Sequence, residues 1–554
     1  MPDPSGRRCR MRGLEVITAI LATVLAMTWL ARRLRWNEPV LLVAGGCLIG
    51  LTPGFRTLVL PPPVVLLLFL PPLLYWESLT TSLREIRTNL RGIVLLATGL
   101  VLATAAAVAG VGHALGLSWP LAFVLGAVVA PTDAIAVQTV ARLLPRRIQT
   151  VLRAESLIND GTALALYAVV VGVAVQGQAV TWSGTAARFL LAYAGGMAIG
   201  AACAAAVVAL RRRLRDRVLE SALAVLTPFA TYLPAQVLGV SGVLAVVTCG
   251  LILSQAGPRV TSAGARVQIT GFWEVSTFIL NSALFVLVGI QTPAIVSAIG
   301  SASLGHAVVT ALLVGGVVIA TRLLWLYSVP YLLRAVDRRP VQRTLRSGAR
   351  ERFPVAWSGV RGAVSLAAAL GVPATTAAGR PLAGHGLVVF TAVAVILVTL
   401  VVQGTTMPAV IRWAGLRGDP DETSEERRAH RQIVNAALEV LPDYADRLHA
   451  PPETTDAIGS ELRQYAAEDA GPPDTGPGVR TGLELRRALI GVKRSALIRL
   501  RDQRIIDDIV LRRLQAVLDS EEIRIELALR AFTGRPPSPP ADDTADARGR
   551  VARE

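Results

Sequence analysis

The sequence predicts an all-α polytopic membrane protein that ends in a charged helical tail. Of its 554 residues, 53% are hydrophobic and only 17% are charged, whereas soluble domains carry about 25% charged residues. Long apolar segments recur between residues 14 and 411 and are absent beyond them. The charge balance changes at the same place, because residues 1–411 hold 33 basic and 13 acidic residues and residues 412–554 hold 23 and 26.

This composition excludes several classes of protein. A mean hydropathy of +0.52 argues against a soluble enzyme. The high pI of about 10.9 does not indicate nucleic-acid binding, because the arginines form short clusters between apolar runs and no single patch with interleaved aromatics. Membrane lipid is therefore the predicted partner and nucleic acid is not. With 5% aromatic residues, the chain offers no pattern for a cofactor, and none is predicted.

The apolar segments number about thirteen, each near the length of about 20 residues that a helix needs to cross a bilayer. They lie near residues 14–31, 38–54, 59–77, 92–112, 118–141, 154–175, 188–210, 218–236, 240–256, 271–294, 305–331, 354–372 and 386–411. Residues 1–13 precede them as an N-terminal segment. We number these predicted spans 1 to 13.

Arginines in the connectors predict the orientation. Connectors after even-numbered spans contain only Arg56, Arg188 and Arg380, whereas those after odd-numbered spans carry clusters. The positive-inside rule then places the N-terminus outside and the C-terminus in the cytoplasm. The four arginines between Arg7 and Arg12 lie on the outer side in this arrangement and run against the rule.

An odd number of spans allows two inverted repeats of six helices, spans 1–6 and 8–13, with span 7 as the connector. Spans 5 and 12 then correspond. Span 5 contains "APTDAIAV" with Pro131 and Asp133, and span 12 contains "SGVRGAVSLA" with Gly359 and Arg361. Proline and glycine beside charge at mid-membrane depth are typical of broken helices that line a polar cavity. The sequence thus predicts two broken helices.

The C-terminal region has a different pattern. Residues 412–533 are predicted as a cytoplasmic helical region that includes an acid-capped amphipathic helix and the linker "GPPDTGPG" at 471–478,. Residues 534–554 are predicted to be disordered. Two roles stay open for this tail, binding a regulator and supporting a dimer.

Charged residues within the spans need a reason, because each costs about 2.5–3.5 kcal/mol at mid-bilayer. Six acids and two bases lie inside the spans or near their ends. Ion pairs can neutralise at most two of the acids, so the others must be protonated, solvated or bound to a cation. Glu220 and Glu274, near span ends, are predicted to be solvated or interfacial. The eight residues are Glu77, Asp133, Glu155, Asp160, Glu220, Glu274, Arg322 and Arg361.

The densest polar group is "ESLINDGTALALY" in span 6. Glu155 and Asn159 are four residues apart, as are Ser156 and Asp160, so the pairs lie on adjacent stripes of one helix. Their oxygens are hard ligands that suit a proton or an alkali cation. A buried carboxylate can hold either one, because burial disfavours its charged form when no cation is bound. Exchange follows if the site faces one side of the membrane at a time.

Neighbouring spans add further oxygens and counter-charges. Thr132 and Asp133 at the break in span 5, with Glu77 in span 3, supply enough oxygens for a dehydrated sodium ion. Glu155 is predicted to be structural, with Arg361 as its best partner. Arg322 either neutralises a core acid or caps a polar cavity.

Two alternative functions, an intramembrane protease and a cation channel, would use the same acidic residues. Asp133 and Asp160 could form the dyad of an intramembrane aspartyl protease, but the sequence has no GxGD-like loop, GxSxG elbow or HExxH helix. A cation channel would conduct without proton coupling.

The motifs "PTDAIAV", "ESLINDGTALALY", "FWEVSTFILNSALFVLVGI" and "GVRGAVSLAAAL" together resemble the monovalent cation:proton antiporter family, in the branch of NhaP-type and animal sodium/proton exchangers. The resemblance covers residues 14–411, the predicted transmembrane antiporter domain. It implies a homodimeric bacterial plasma-membrane protein that expels Na+, or alternatively Li+ or K+, against external H+. Spans 4–6 and 11–13 would form a mobile core, in which the broken fifth and twelfth helices would cross near the ion.

The resemblance also implies roles for single residues. Asp160 would bind the ion and the proton, with Ser156, the backbone at Thr132 and Glu77 as further Na+ ligands. Asn159 would support the site, and Glu155 would pair with Arg361. Asn159 stands where part of the family has a second Asp, which implies electroneutral one-for-one exchange; K+/H+ antiport is the alternative.

Overall fold

The computed structural model describes most of the chain. The described residues are 4–34, 36–52, 62–81, 83, 86, 90–133, 146–176, 182–214, 216–299, 301–336, 348–415, 421–447 and 449–468, with single residues and short stretches between 483 and 529. They form helices and no strand; an isolated bridge between Thr375 and Pro381 is the one piece of extended pairing among them. The predicted all-α fold class is confirmed.

The helices are numbered here in chain order. Those up to the first interruption are α1 Pro4–Leu34, α2 Glu38–Gly50, α3 Pro62–Thr80, α4 Leu90–Val94, α5 Leu100–Ala114 and α6 Trp119–Val129. A π-helical turn, Leu95–Gly99, joins α4 to α5. The next are α7 Arg146–Gln176, α8 Trp182–Arg211, α9 Arg217–Val237, α10 Gly242–Val260, α11 Ala263–Ile299 and α12 Ser301–Val336. The last are α13 Ala349–Trp357, α14 Ala363–Leu370, α15 His385–Ala414, α16 Asp421–Arg447 and α17 Pro452–Glu468.

A helix lies at each of the thirteen predicted spans. Among the described residues, eight helices are long and apolar enough to cross a membrane, and three shorter apolar helices lie at Glu38–Gly50, Trp119–Val129 and Gly242–Gly257. The protein is therefore a multi-pass membrane protein. The number of crossings and the two inverted repeats remain predictions.

Small residues allow the closest helix packing. Gly46 of α2 faces the backbone of Val286 in α11, and Gly289 of α11 faces the backbone of Val43 in α2, so a Cβ atom at either glycine would overlap the opposite helix. Glycines of this kind let membrane helices approach closely. The side chains of Val43 and Val286 are buried in the largest apolar cluster of the fold.

The predicted break in span 12 is present. Helix α13 ends at Trp357, residues 358–362 are not helical, and α14 starts at Ala363. In span 5, α6 ends at Val129 and residues 131–133 are not helical. The remainder of that predicted span lies outside the described residues.

The chain divides into two compact units, residues 1–419 and the tail, residues 420–554. Its described helices α16 and α17 are joined by a turn in which His449 has a φ of 50°. Lys493 pairs with Glu521 at 3.1 Å. The predicted linker 471–478 and the predicted disordered segment 534–554 fall outside the described residues.

Helix α15 extends to Ala414, three residues past the predicted boundary at 411, and the domain limits remain predictions.

Candidate functional site

Five of the six residues predicted to bind the ion line one cavity. Helix α3 contributes one of the five residues, the segment after α6 contributes two, and α7 contributes two. They are Glu77, Thr132, Asp133, Ser156 and Asp160. Apolar side chains complete part of the wall, namely Leu73, Leu74, Pro131 and Val364.

Helix α7 presents Ser156 and Asp160 to this cavity on one face, as their spacing of four residues predicts. Ser156 is 4% exposed and Asp160 is 6% exposed. Within the described part of the chain, no hydrogen bond reaches the Asp160 carboxylate. A buried carboxylate without a protein partner is costly unless it holds a proton or a cation. Asp160 is therefore suited to bind one or the other.

Asn159 connects α7 to the segment after α6. Its Nδ2 donates a hydrogen bond of 2.7 Å to Oγ1 of Thr132, and both residues are buried. Asn159 is absent from the cavity wall. The amide thus positions Thr132, which lines the cavity, and does not itself face the space beside Asp160.

The two interrupted segments contact each other reciprocally. The backbone N–H of Asp133 donates to the carbonyl oxygen of Val360 at 2.8 Å, and Nε of Arg361 donates to the carbonyl oxygen of Val129 at 3.0 Å. The backbone of Gly362 lies against the carboxylate of Asp133, where a Cβ atom would overlap it. The described parts of the two segments thus meet at their non-helical residues, and this meeting point is called the crossing below.

Charge at this crossing complements the helix ends. Arg361 lies at the C-terminus of α6, which carries partial negative charge, and Asp133 lies at the N-terminus of α14, which carries partial positive charge. Arg361 is 1% exposed and also donates to the carbonyl oxygen of Gly359. The two charged side chains therefore stabilise helix ends that the interruptions leave within the fold.

The predicted pair between Glu155 and Arg361 is wrong. The carboxylate of Glu155 pairs with Arg322 of α12, through Nη1 and, at 3.1 Å, through Nη2. Nη2 of Arg322 also donates to the carbonyl oxygen of Val355 at 3.1 Å. Arg361 instead binds backbone carbonyls, because it lies in the interruption where helix-end carbonyls need donors. Of the two roles left open for Arg322, the structure shows neutralisation of a core acid.

The expectation of a solvated Glu220 is also wrong, whereas an interfacial position stays a prediction. This residue is 3% exposed, and its carboxylate accepts from the backbone N–H of Ser262 at 2.9 Å and from its hydroxyl at 3.2 Å. Glu220 lies in the first turn of α9, where negative charge is favourable,. Glu274, by contrast, is exposed on α11.

Two uncharged residues of the cavity wall were missed by the sequence analysis. Asn281 of α11 and Ser365 of α14 both line it. They lie within two of the quoted motifs, but in spans where no acidic residue was predicted to bind the ion. A search for amides and hydroxyls in apolar segments would have found them.

In the described part of the chain, no three His, Cys, Asp or Glu side chains lie close enough together to hold a metal ion. A monovalent cation in this cavity would be coordinated by hydroxyl, amide and backbone oxygens together with the carboxylates of Asp160 and Glu77,.

The sequence model described as "Sodium/hydrogen exchanger, transmembrane" matches residues 19–413. The chain belongs to this family. A Na+/H+ exchanger of Mycobacterium tuberculosis is 45% identical to this exchanger over 522 residues, covering 93% of this chain and 96% of the relative. The Na+/H+ antiporter ApNhaP of Aphanothece halophytica is 30% identical over 404 residues, covering 71% of this chain and 73% of the relative.

Solved structures show the same fold. The sodium proton antiporter MjNhaP1 from Methanocaldococcus jannaschii at pH 8 superposes on this exchanger with a TM-score of 0.58 at 19% identity, covering 73% of this chain and 99% of that structure. By its family, the exchanger is a membrane transporter of the sodium/proton antiporter type. It is not an enzyme, and the protease alternative is excluded.

Proposed function

We propose that this exchanger moves cytoplasmic Na+ out in exchange for external H+, with Asp160 as the shared binding group. The observation that carries the proposal is the position of Asp160. Its carboxylate is buried at a cavity beside the crossing of two interrupted segments and has no partner among the described residues. Proton and cation would compete for this one group.

The surrounding oxygens support a cation as the second substrate. Ser156 and Thr132 line the cavity with Asp160, and Glu77 approaches it from α3. Oε1 of Glu77 is buried without a hydrogen-bond partner. Hydroxyl, carboxylate and backbone oxygens are the ligands that hard cations prefer. We therefore assign Asp160, Ser156, Thr132 and Glu77 as the Na+ ligands.

One titrating carboxylate predicts electroneutral one-for-one exchange. A single Asp160 carries one proton or one monovalent cation, but not both at once. Asn159 adds no charge and is bound to Thr132. Asp133 lies against Gly362 at the start of α14, where the partial positive charge of the helix end complements a carboxylate,. Asp133 and Glu77 are the first candidates for a second titrating group if net charge moves.

The transported cation has a specific alternative, because one relative is named for several alkali cations. A relative in Bacillus subtilis, 30% identical over 446 residues and covering 77% of this chain and 66% of the relative, is named a sodium, potassium, lithium and rubidium/H+ antiporter. That name supports Li+ and K+ as further substrates here. K+/H+ antiport is the alternative to Na+/H+ antiport, and a channel is the more distant one.

The membrane location, orientation and assembly of the exchanger are proposed from its arginine pattern and its family. We place the exchanger in a bacterial plasma membrane with a cytoplasmic C-terminus, as a homodimer whose site opens to one side at a time. Expulsion of Na+ against H+ would serve pH homeostasis. The tail would bind a regulator or support the dimer.

The test is proton movement in proteoliposomes on addition of Na+, then Li+, then K+, at two clamped membrane potentials. The proposal expects a Na+-evoked proton signal of equal size at both potentials. A signal that scales with potential would overturn electroneutrality, and cation flux without proton movement would indicate a channel. A signal with K+ and none with Na+ would establish the alternative substrate.

The matched variants are Asp160→Asn and Glu274→Gln. Asp160→Asn removes the titrating group at nearly constant volume and should abolish exchange in a folded protein. Glu274→Gln neutralises an acid that is exposed on α11 and should keep the wild-type rate. Exchange at the wild-type rate in Asp160→Asn would remove Asp160 from the proposed role.

A further inference from the structure

Three residues on the cavity wall have polar atoms without a hydrogen-bond partner among the described residues. These atoms are Oε1 of Glu77, Oδ1 of Asn281 and Oγ of Ser365, and each is buried. All three residues line the cavity that contains Ser156 and Asp160. A buried polar atom left unsatisfied costs about 1–3 kcal/mol. Three such atoms around one cavity indicate a ligand that the oxygens share.

The two uncharged residues of this group come from helices other than α7. Asn281 lies on α11, and Ser365 is the third residue of α14, directly after the break that contains Arg361. Ser365 is 1% exposed. Their neighbours on the wall include Leu73, Leu74 and Val364, which offer no hydrogen bond. A purely structural role would require partners for Oδ1 of Asn281 and Oγ of Ser365, and neither atom has one among the described residues.

The chemistry of these groups fits a cation. Amide and hydroxyl oxygens are hard ligands, and neither side chain titrates near neutral pH. They can therefore extend the coordination of a cation held by Asp160 without adding a second proton-binding group. Such an arrangement keeps one exchangeable charge per cycle while it increases the number of oxygens around the ion.

We propose that Asn281 and Ser365 are further ligands of the transported cation and that their oxygens set the preference between Na+ and K+. This inference rests on the proposed function, because it assumes a cation bound at Asp160. Two fixed neutral oxygens would favour the ion whose size matches the space they leave. Removing one oxygen enlarges that space, so it should weaken binding of the smaller Na+ more than binding of the larger K+.

The experiment uses the full chain in proteoliposomes with Asn281→Ala and Ser365→Ala as separate variants. The KM for Na+ should rise about tenfold in each, because one bond to a charged group contributes a factor of this order. The ratio of the KM for K+ to the KM for Na+ should fall, and the maximal rate should change much less than the KM. Na+-induced thermal stabilisation in detergent should weaken in parallel, since it depends on binding alone.

Thr391→Val is the matched control. Oγ1 of Thr391 is also buried without a partner, but Thr391 is absent from the cavity wall. The control should keep the wild-type KM for both cations. Asn281→Asp retains an oxygen at the same place and should hold the KM for Na+ at or below the wild-type value. It therefore separates loss of a ligand from loss of packing if Asn281→Ala folds poorly.

The outcomes distinguish the two proposals. If wild type shows no cation-evoked proton movement, or Asp160→Asn is fully active, the proposed function fails. If wild type exchanges Na+ through Asp160 while Ser365→Ala and both Asn281 variants keep the wild-type KM for Na+ and K+, the further ligands are refuted. A KM that rises equally for both cations would refute their role in selectivity.

Discussion

Arg361 binds the end of α6 from the opposite interrupted segment. Its Nε donates a hydrogen bond of 3.0 Å to the carbonyl oxygen of Val129, the last residue of that helix. The backbone N–H of Arg361 is held at 3.3 Å by Oγ1 of Thr399 in α15. One buried side chain thus satisfies a helix-end carbonyl and fixes the spacing of the two segments that border the cavity.

Arg361→Ala should therefore reduce both stability and exchange. The variant leaves the carbonyl oxygens of Val129 and Gly359 without this donor, at about 1–3 kcal/mol for each buried group. We expect a lower Tm in detergent and at least tenfold slower exchange in proteoliposomes. Arg380→Ala, at an exposed arginine, serves as the control. A wild-type Tm and rate in Arg361→Ala would show that the link is dispensable.

The pair of Glu155 and Arg322 leads to a second prediction. Both side chains are 1% exposed, so removing one partner leaves an isolated buried charge. Glu155→Gln or Arg322→Ala should each destabilise the fold by about 3–5 kcal/mol. The double variant Glu155→Gln/Arg322→Ala should be less unstable than the sum of the two, because it removes both charges.

Thermal unfolding in detergent measures this coupling, with the pair Glu155→Gln and Arg361→Ala as the comparison cycle. The structure predicts strong coupling to Arg322 and weaker coupling to Arg361. The reverse order would restore the pairing that the sequence predicted and contradict the ion pair in the structure.

These two arginines show what sequence can and cannot supply. Charged residues inside apolar segments are conspicuous, so Asp160, Glu155, Arg322 and Arg361 were all identified as buried charges from the sequence. The partner of Glu155 depends on which helix packs beside α7, and no local pattern carries that information. Arg322 on α12 and Arg361 in the break are equivalent by composition.

The cavity shows a related limit. Ser156 and Asp160 were placed together because helical periodicity fixes residues four apart on one face. Asn281 was not found, because its amide lies in a long apolar helix and bears no charge. Its approach to the cavity depends on the packing of α11, which only the folded chain defines.

A third prediction concerns the hydrogen bond between Asn159 and Thr132. Thr132→Val removes the hydroxyl acceptor, keeps the shape of the side chain and leaves the backbone carbonyl in place. Asn159→Ala removes the donor. Each should raise the KM for Na+ by a few-fold, because a hydrogen bond contributes about 0.5–1.5 kcal/mol, and the double variant should resemble either single one. Additive effects on the KM would show that the two residues act independently.

The last prediction concerns Gly362, which faces Asp133. A Cβ atom at residue 362 would overlap the Asp133 carboxylate, whereas a Cβ atom at Gly316 in α12 would meet nothing within 4 Å. Gly362→Ala should therefore displace either Asp133 or the start of α14, at a cost of about 1–3 kcal/mol, and slow exchange. Gly316→Ala should be neutral or stabilise α12 slightly, since alanine is the better helix former.

The cause of the loss in Gly362→Ala can be isolated by shortening Asp133. If the overlap with the carboxylate is responsible, Gly362→Ala/Asp133→Ser should unfold at a higher temperature than Gly362→Ala alone, because the shorter side chain leaves room for the added methyl group. Exchange should stay low in the double variant if the charge of Asp133 is also required at the N-terminus of α14. A double variant less stable than either single one would mean that the two residues act through separate contacts.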